Sequence, residues 1–424
     1  MTDTRPSRRS TLGLLAAAPL TVGALPLVSG TARADASASP GPILKDARPG
    51  GVYDRFIAQL AADDQFSGTV LLAHRGRPVL ARSYGMADRE KKIPNKIDTI
   101  YNLASASKPF TALAIVQLAQ QRKLRFHEKL GTYLDGFPDE IAGTVTVHHL
   151  LTHTAGMGDP SRPGDNSSEG RITNSIEERL ADLRQLTRRQ KLEFAPGTKH
   201  AYSSIGMEVL GEIVAKVSGQ TFVDYVHDHI FAPAKMTRSA YYTRPQWLSD
   251  KRIAHPYMYQ SDGSRVDAVR NLDKGAVLGG APGSNPARAF IGSGGGSGFS
   301  TAPDLVRFAL ALQNGKLLES AYTQLYTSGR IPVPPLPPLP GRPPAPVDPA
   351  GQEALQGYGV LTPIFNGQRI IGHGGGIGGG ATNWSIYLDT DWVGVILSNY
   401  DLRIEPIISK ERHAVTDHTA QSSR

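Results

Sequence analysis

Leu103-Ala104-Ser105-Ala106-Ser107-Lys108-Pro109-Phe110 sets a serine and a lysine three residues apart at the head of an apolar-periodic segment. Phe110, Leu113, Ala114 and Leu118 recur at i, i+3, i+4 and i+8, which predicts a helix with one apolar face. Pro109 is tolerated only near a helix start, where its missing N–H costs nothing, so the helix is expected to begin close to Ser105. Residues i and i+3 share a face, which brings the Lys108 amine within reach of the Ser105 hydroxyl. The helix N-terminus adds free backbone N–H groups and a positive dipole end where an oxyanion can form. A serine with an adjacent base and anion stabilisation is what acyl transfer requires. S-x-x-K arises by chance about once in a chain this long, so its surroundings decide the reading.

Outward from this segment, the chain of 424 residues is 40% hydrophobic and 20% charged, an ordinary globular composition. Arg8-Arg9, an apolar run from Leu12 to Val28 and the small-x-small Ala32-Arg33-Ala34 read as an export signal of twin-arginine type, cleaved after Ala34. A membrane anchor is the rival reading. Gly13, Pro19, Gly23 and Pro26 interrupt the run, and it falls short of the ~20 residues a span needs. Residues 1–34 carry a net +3 of the +8 formal charge, leaving +5 with no basic block, which does not point to nucleic acid. The absence of cysteine excludes disulfides and thiolate metal sites.

Residues 35–50 are small, polar and Pro/Gly-containing and read as a linker. Tyr53–Leu60 is expected to be helical. Gly68–Ala73 and Pro78–Arg82 form a hairpin around His74-Arg75-Gly76-Arg77. Helical patterns dominate about 126–265, notably Leu150-Leu151, Ile176–Leu186 and Met207–Val217. Trp384, Ile386 and Leu388 alternate as in a strand, and Trp392–Leu397 suits a buried one. The fold class is therefore α/β (α+β): a central antiparallel sheet completed by the two chain ends (about 51–125 and 266–400), flanked by helices and interrupted by an all-helical insert. Ile331–Pro349 holds ten prolines and is expected to be an extended surface loop, an insertion rather than a polyproline partner site.

Two further motifs follow the serine. Tyr202-Ser203-Ser204 sits after the turn Ala195-Pro196-Gly197 and opens a helix that ends at Gly219. A buried tyrosine beside a lysine ammonium can serve as base and then acid. Tyr259-Gln260-Ser261 and Tyr326-Thr327-Ser328 share the pattern, so context selects Tyr202. Gly372-His373-Gly374-Gly375-Gly376 precedes the strand at Thr382, and such glycine density lets a ligand or backbone approach closely. His74-Arg75-Gly76 also fits H-x-G but lies in the hairpin. No second ligand sits at metal spacing around His373, so neither metal nor cofactor is expected.

Together these pieces resemble the β-lactamase-related serine hydrolases, a group of class C β-lactamases, D-alanyl-D-alanine carboxypeptidases, D-stereospecific aminopeptidases and related carboxylesterases. The likeness runs from about Asp54 to Tyr400. It includes Leu150-Leu151-Thr152-His153-Thr154-Ala155-Gly156, Gly294-Gly295-Gly296 with Ser300–Leu305, and Gly357-Tyr358-Gly359. The resemblance implies a β-lactamase/transpeptidase-like fold with the site between sheet and helical domain. It implies Ser105 as nucleophile, Lys108 as general base and Tyr202 as proton shuttle. The Ser105 and Gly376 N–H groups would form the oxyanion hole, while Ser204, His373, Gly374 and Gly375 would meet a small-molecule or peptide substrate. His153 fits the group and reads as structural. Ser204 stands where many members have Asn, and His373 where β-lactamases have Lys. Serine reaches less far than an amide, and histidine is charged only near or below pH ~6.5. Three readings stay open: an exported hydrolase of esters or D-amino-acid amides, a β-lactamase or D,D-carboxypeptidase, and a non-hydrolytic ligand-binding protein.

Overall fold

The computed structural model describes residues 43–158, 172, 175–277, 283, 285–288, 291–334 and 354–417. The export signal, residues 35–42 of the linker and most of the proline-rich stretch lie outside them.

Strands β1 (Gly68–His74) and β2 (Arg77–Tyr84) form the expected hairpin. Its two-residue turn has Arg75 and Gly76 both at positive φ (51° and 73°), the turn whose twist matches paired strands. The remaining strands come from the C-terminal half: β3 (Ile331–Pro332), β4 (Leu355–Gln356), β5 (Leu361–Thr362), β6 (Gln368–Ile377), β7 (Gly380–Tyr387) and β8 (Trp392–Ser398). The antiparallel order is β2-β1-β8-β7-β6-β5-β4-β3, with Ile364–Phe365 paired to β6 off this path. Gly68 faces Ser398 and His74 faces Trp392, so a strand from the N-terminal part and one from the C-terminal part pair directly, one place in from the β2 edge. Ile331–Pro332 thus departs from the loop expectation. It pairs at the sheet edge, where proline's missing donor is tolerated.

Both faces of the central strands are covered. Val70, Leu72 and Ile396 pack with Tyr53 and Ile57 of α1 (Val52–Ala62), and with Ile407 and Val415 of a C-terminal helix at Glu405–Thr416. Leu71, Ala73, Val393, Val395 and Leu397 point the other way, toward the main core. That two-sided burial explains why β8 is an unbroken apolar run rather than an alternation. Ala47 is buried in the first of these layers, so residues 43–50 belong to the packed body and not to a linker.

At the heart of the main core is α2 (Lys108–Gln120). Every residue from Lys108 to Ala119 is buried, so this helix is enclosed on all sides, where the sequence predicted one apolar face. Its buried amide, Gln117, donates to the carbonyls of His229 and Leu317, both at 3.0 Å. The helical insert contains α3 (Ser204–Ser218), which ends as expected at a left-handed Gly219 and packs along α2. The insert is not all-helical: Tyr257–Tyr259 and Arg265–Asp267 pair antiparallel at its close.

Candidate active site

The sheet and helices converge on the turn before α2. Tyr101–Asn102 pairs with Phe299–Ser300, and the Asn102 amide oxygen accepts the Ala104 N–H at 2.7 Å. Ala104 adopts a left-handed φ of 48°, a costly conformation for a residue with a Cβ. Its carbonyl is held by the Ser297 N–H at 2.9 Å and the Ser107 hydroxyl at 2.8 Å. The chain then winds through a 3-10 turn, Ala104–Ser107, directly into α2. Ser105 therefore projects from the expected helix start.

Lys108, the first residue of α2, is fully buried, which requires partners for its amine. Nζ donates to Ser105 Oγ at 2.9 Å and to the Gly295 carbonyl. The same nitrogen lies 5.1 Å from the centre of the Tyr202 ring. The three residues singled out from the sequence thus meet, although 94 positions separate Lys108 from Tyr202.

Tyr202 is 37% exposed rather than buried, a correction to the sequence reading. Its ring lies 4.6 Å from the His153 ring and 6.2 Å from the His373 ring, and this packing positions it. His153 is buried at a positive φ of 54°, and its Nδ1 accepts the Ser203 N–H at 3.3 Å. The structural role expected of His153 is therefore specific: it fixes the backbone and ring at Tyr202. Burial, reinforced by the Lys108 charge, holds its imidazole well below the usual histidine range. Ser203 caps α3 by accepting the Gly206 N–H, which sets Ser204 as the first helical residue.

On the opposite side runs β6. Gly375 lies so close to the nucleophile turn that a Cβ there would sit 2.2 Å from the Leu103 carbonyl oxygen and 2.8 Å from the Ala106 nitrogen. Beside it, Thr382 Oγ1 donates to the Leu103 carbonyl and Trp384 Nε1 to the Ala106 carbonyl, both at 2.9 Å. Gly376 faces open space instead. His373 lies within β6 opposite Trp384, 6% exposed, with Nδ1 bonded to the Gly374 carbonyl. A carbonyl only accepts, so Nδ1 carries the proton. Burial and the nearby Lys108 charge push the His373 pKa down to about 4.

Residues 53–414 match the family model described as beta-lactamase. The chain belongs to the β-lactamase family. Penicillin-binding protein 4* of Bacillus subtilis is 30% identical over 355 residues, 80% of this chain and 69% of its own. Esterase EstB of Burkholderia gladioli is 32% identical over 279 residues, 61% of this chain and 69% of its own. The solved penicillin-binding protein of Bacillus halodurans superposes with a TM-score of 0.67 at 28% identity, over 83% of this chain and 97% of that one.

Within this family of serine hydrolases, the present chain keeps Ser105, Lys108 and Tyr202 together and supplies one group the sequence did not reveal. The Gly295 carbonyl is the second acceptor for Lys108. The glycine-rich stretch at 294–296 is visible in the sequence, but a backbone oxygen has no sequence signature. Among the described residues no group of three or more His, Asp or Glu is arranged to hold a metal.

Proposed function

We propose that this chain is an exported acyl-serine hydrolase that turns over esters in preference to β-lactams or carboxylate-ended peptides. Ser105 Oγ attacks the acyl carbon as its proton passes to Lys108, and Tyr202 relays a proton to the leaving oxygen. The Ser105 and Gly376 N–H groups receive the developing oxyanion. Water then attacks the acyl-serine, and the proton returns to Ser105 as the acid leaves.

His373 carries the preference for esters. Its imidazole, with a pKa near 4, is neutral at neutral pH, so position 373 offers no charge to a substrate carboxylate. Ser204 is also shorter than the amide that would grip an acylamide. An activated ester needs little beyond nucleophile and oxyanion hole, whereas a penicillin must be oriented through amide and carboxylate and then deacylated. The relative named an esterase supports this reading, and the relatives named for penicillin binding supply the alternative outcome.

A panel of a short aryl ester, a cephalosporin, a penicillin and a D-amino-acid anilide tests the proposal on wild type and Ser105→Ala. The ester should show the highest kcat/KM, and Ser204→Asn with His373→Lys should move the ratio toward the lactam. A wild type that prefers the penicillin overturns it, and no turnover of any substrate favours a binding protein. For export, replacing Arg8 and Arg9 by lysine should retain precursor in the cytoplasm. Unchanged secretion would indicate the general route, and an uncleaved membrane-bound product an anchor.

A further inference from the structure

Lys108 faces ionisable groups from several elements: Ser105 on its own turn, Tyr202 ahead of α3, His153 after the Leu150-Leu151 helix and His373 on β6. A carboxylate rests against the residue that supplies its second acceptor. Glu208 lies one turn into α3, and its Oε1 would sit 2.3 Å from a Cβ on Gly295, so the acid rests against the very residue whose carbonyl accepts from Lys108. Only a glycine at 295 permits this contact. Ser293 Oγ donates to Glu208 Oε1 at 2.5 Å.

The turn that carries Gly295 is pinned at each residue. Ser293 and Gly296 exchange backbone hydrogen bonds at 2.9 and 3.1 Å, and Thr111 Oγ1 of α2 donates to the Gly294 carbonyl at 2.8 Å. Gly294 also abuts Gly211 of α3, and Ser297 N–H holds Ala104 beside the nucleophile. Glu208 is the charged member of this assembly, with Tyr241 behind it. A carboxylate held against the peptide whose carbonyl accepts from a buried amine fixes the acceptor that orients that amine.

We propose that Glu208 is a positioning residue for Lys108: held by Ser293 against Gly295, it aims the carbonyl that orients the amine and sets the charge against which Lys108 gives up its proton. This rests on the reading of Lys108 as general base.

The test is kcat/KM against pH for an aryl ester, with melting curves, in wild type, Glu208→Gln, Glu208→Asp, Ser293→Ala and Lys108→Ala. Glu208→Gln keeps an acceptor for Ser293 and loses only the charge. Its acid limb should move to lower pH by about one unit, because the amine deprotonates more readily. Glu208→Asp retains the charge and should bring the limb back toward wild type. A folded Glu208→Gln with a wild-type limb overturns the proposal. If Glu208→Gln fails to fold, Ser293→Ala decides, because it removes the donor that holds Glu208 against Gly295: a limb displaced to lower pH supports the proposal, and a wild-type limb overturns it. Wild-type acylation in Lys108→Ala would instead refute the base reading, whatever Glu208→Gln shows.

Discussion

Gly375→Ala tests whether β6 clamps the nucleophile turn as closely as the geometry states. The added methyl would meet Leu103 O at 2.2 Å, Ala106 N at 2.8 Å and Thr382 Oγ1 at 2.8 Å. Two of these are backbone atoms and cannot rotate away, so the strand or the turn must shift. Overpacking of this kind costs about 1–3 kcal/mol. The shift also weakens the bonds from Thr382 and Trp384 to the turn, each worth about 1 kcal/mol. The combined loss is about 2–5 kcal/mol. Ser105 rides on the displaced turn, and a misplacement of roughly 1 Å reduces turnover by about 10²-fold. Gly376→Ala is the internal control. Its Cβ enters open space, so stability should stay within about 0.5 kcal/mol of wild type. Urea unfolding and aryl-ester hydrolysis of the two variants read both quantities. Wild-type stability and activity in Gly375→Ala would refute the close contact, and equal losses of stability in both variants would refute its specificity to Gly375.

Tyr202→Phe keeps the ring against His153 and removes only the hydroxyl, so kcat should fall by about 10²–10⁴-fold with little change in KM; near-normal turnover would remove Tyr202 from proton transfer. Glu411, in the C-terminal helix, is buried beside Tyr387, whose hydroxyl donates to it at 3.0 Å, and burial raises its pKa from 4.5 to about 7. The folded state therefore holds this proton more tightly than the unfolded one. The stability it contributes is complete below pH ~4.5 and is lost as pH rises through about 7. Glu411→Gln should flatten unfolding free energy across that window, and an unchanged slope would contradict the assignment. His373 acts in the opposite sense: with a folded pKa near 4, it removes stability as pH falls from about 6.5 toward 4, and His373→Asn should lessen that acid-side loss in urea titrations.

What was legible in the sequence follows from where periodicity and spacing carry the physics. The Ser105–Lys108 contact is local, fixed by three residues of helix, and β1 and β8 announce themselves as β-rich apolar runs. The enclosure of α2 was not legible, because helices from distant segments cover the faces that its own pattern left undefined. The C-terminal helix was hidden by its charges. Ile407, Ala414 and Val415 pack on the sheet, but Lys410, Glu411 and Arg412 interrupt the apolar signal, and Glu411 is itself buried. Tyr202 was assigned by context, yet its exposure depends on rings contributed by residues 153 and 373. The Gly295 carbonyl and its support from Glu208 are tertiary facts, set by a backbone turn wedged between α2 and α3.

Acylation of Ser105 with the help of Lys108 is the claim on which everything else depends. Intact-mass analysis after a fluorophosphonate, on wild type, Ser105→Ala and Lys108→Ala, measures it directly. One adduct per wild-type chain is expected, none on Ser105→Ala, and labelling slowed by about 10²-fold or more on Lys108→Ala. An adduct on Ser105→Ala, or wild-type labelling without Lys108, would contradict the account.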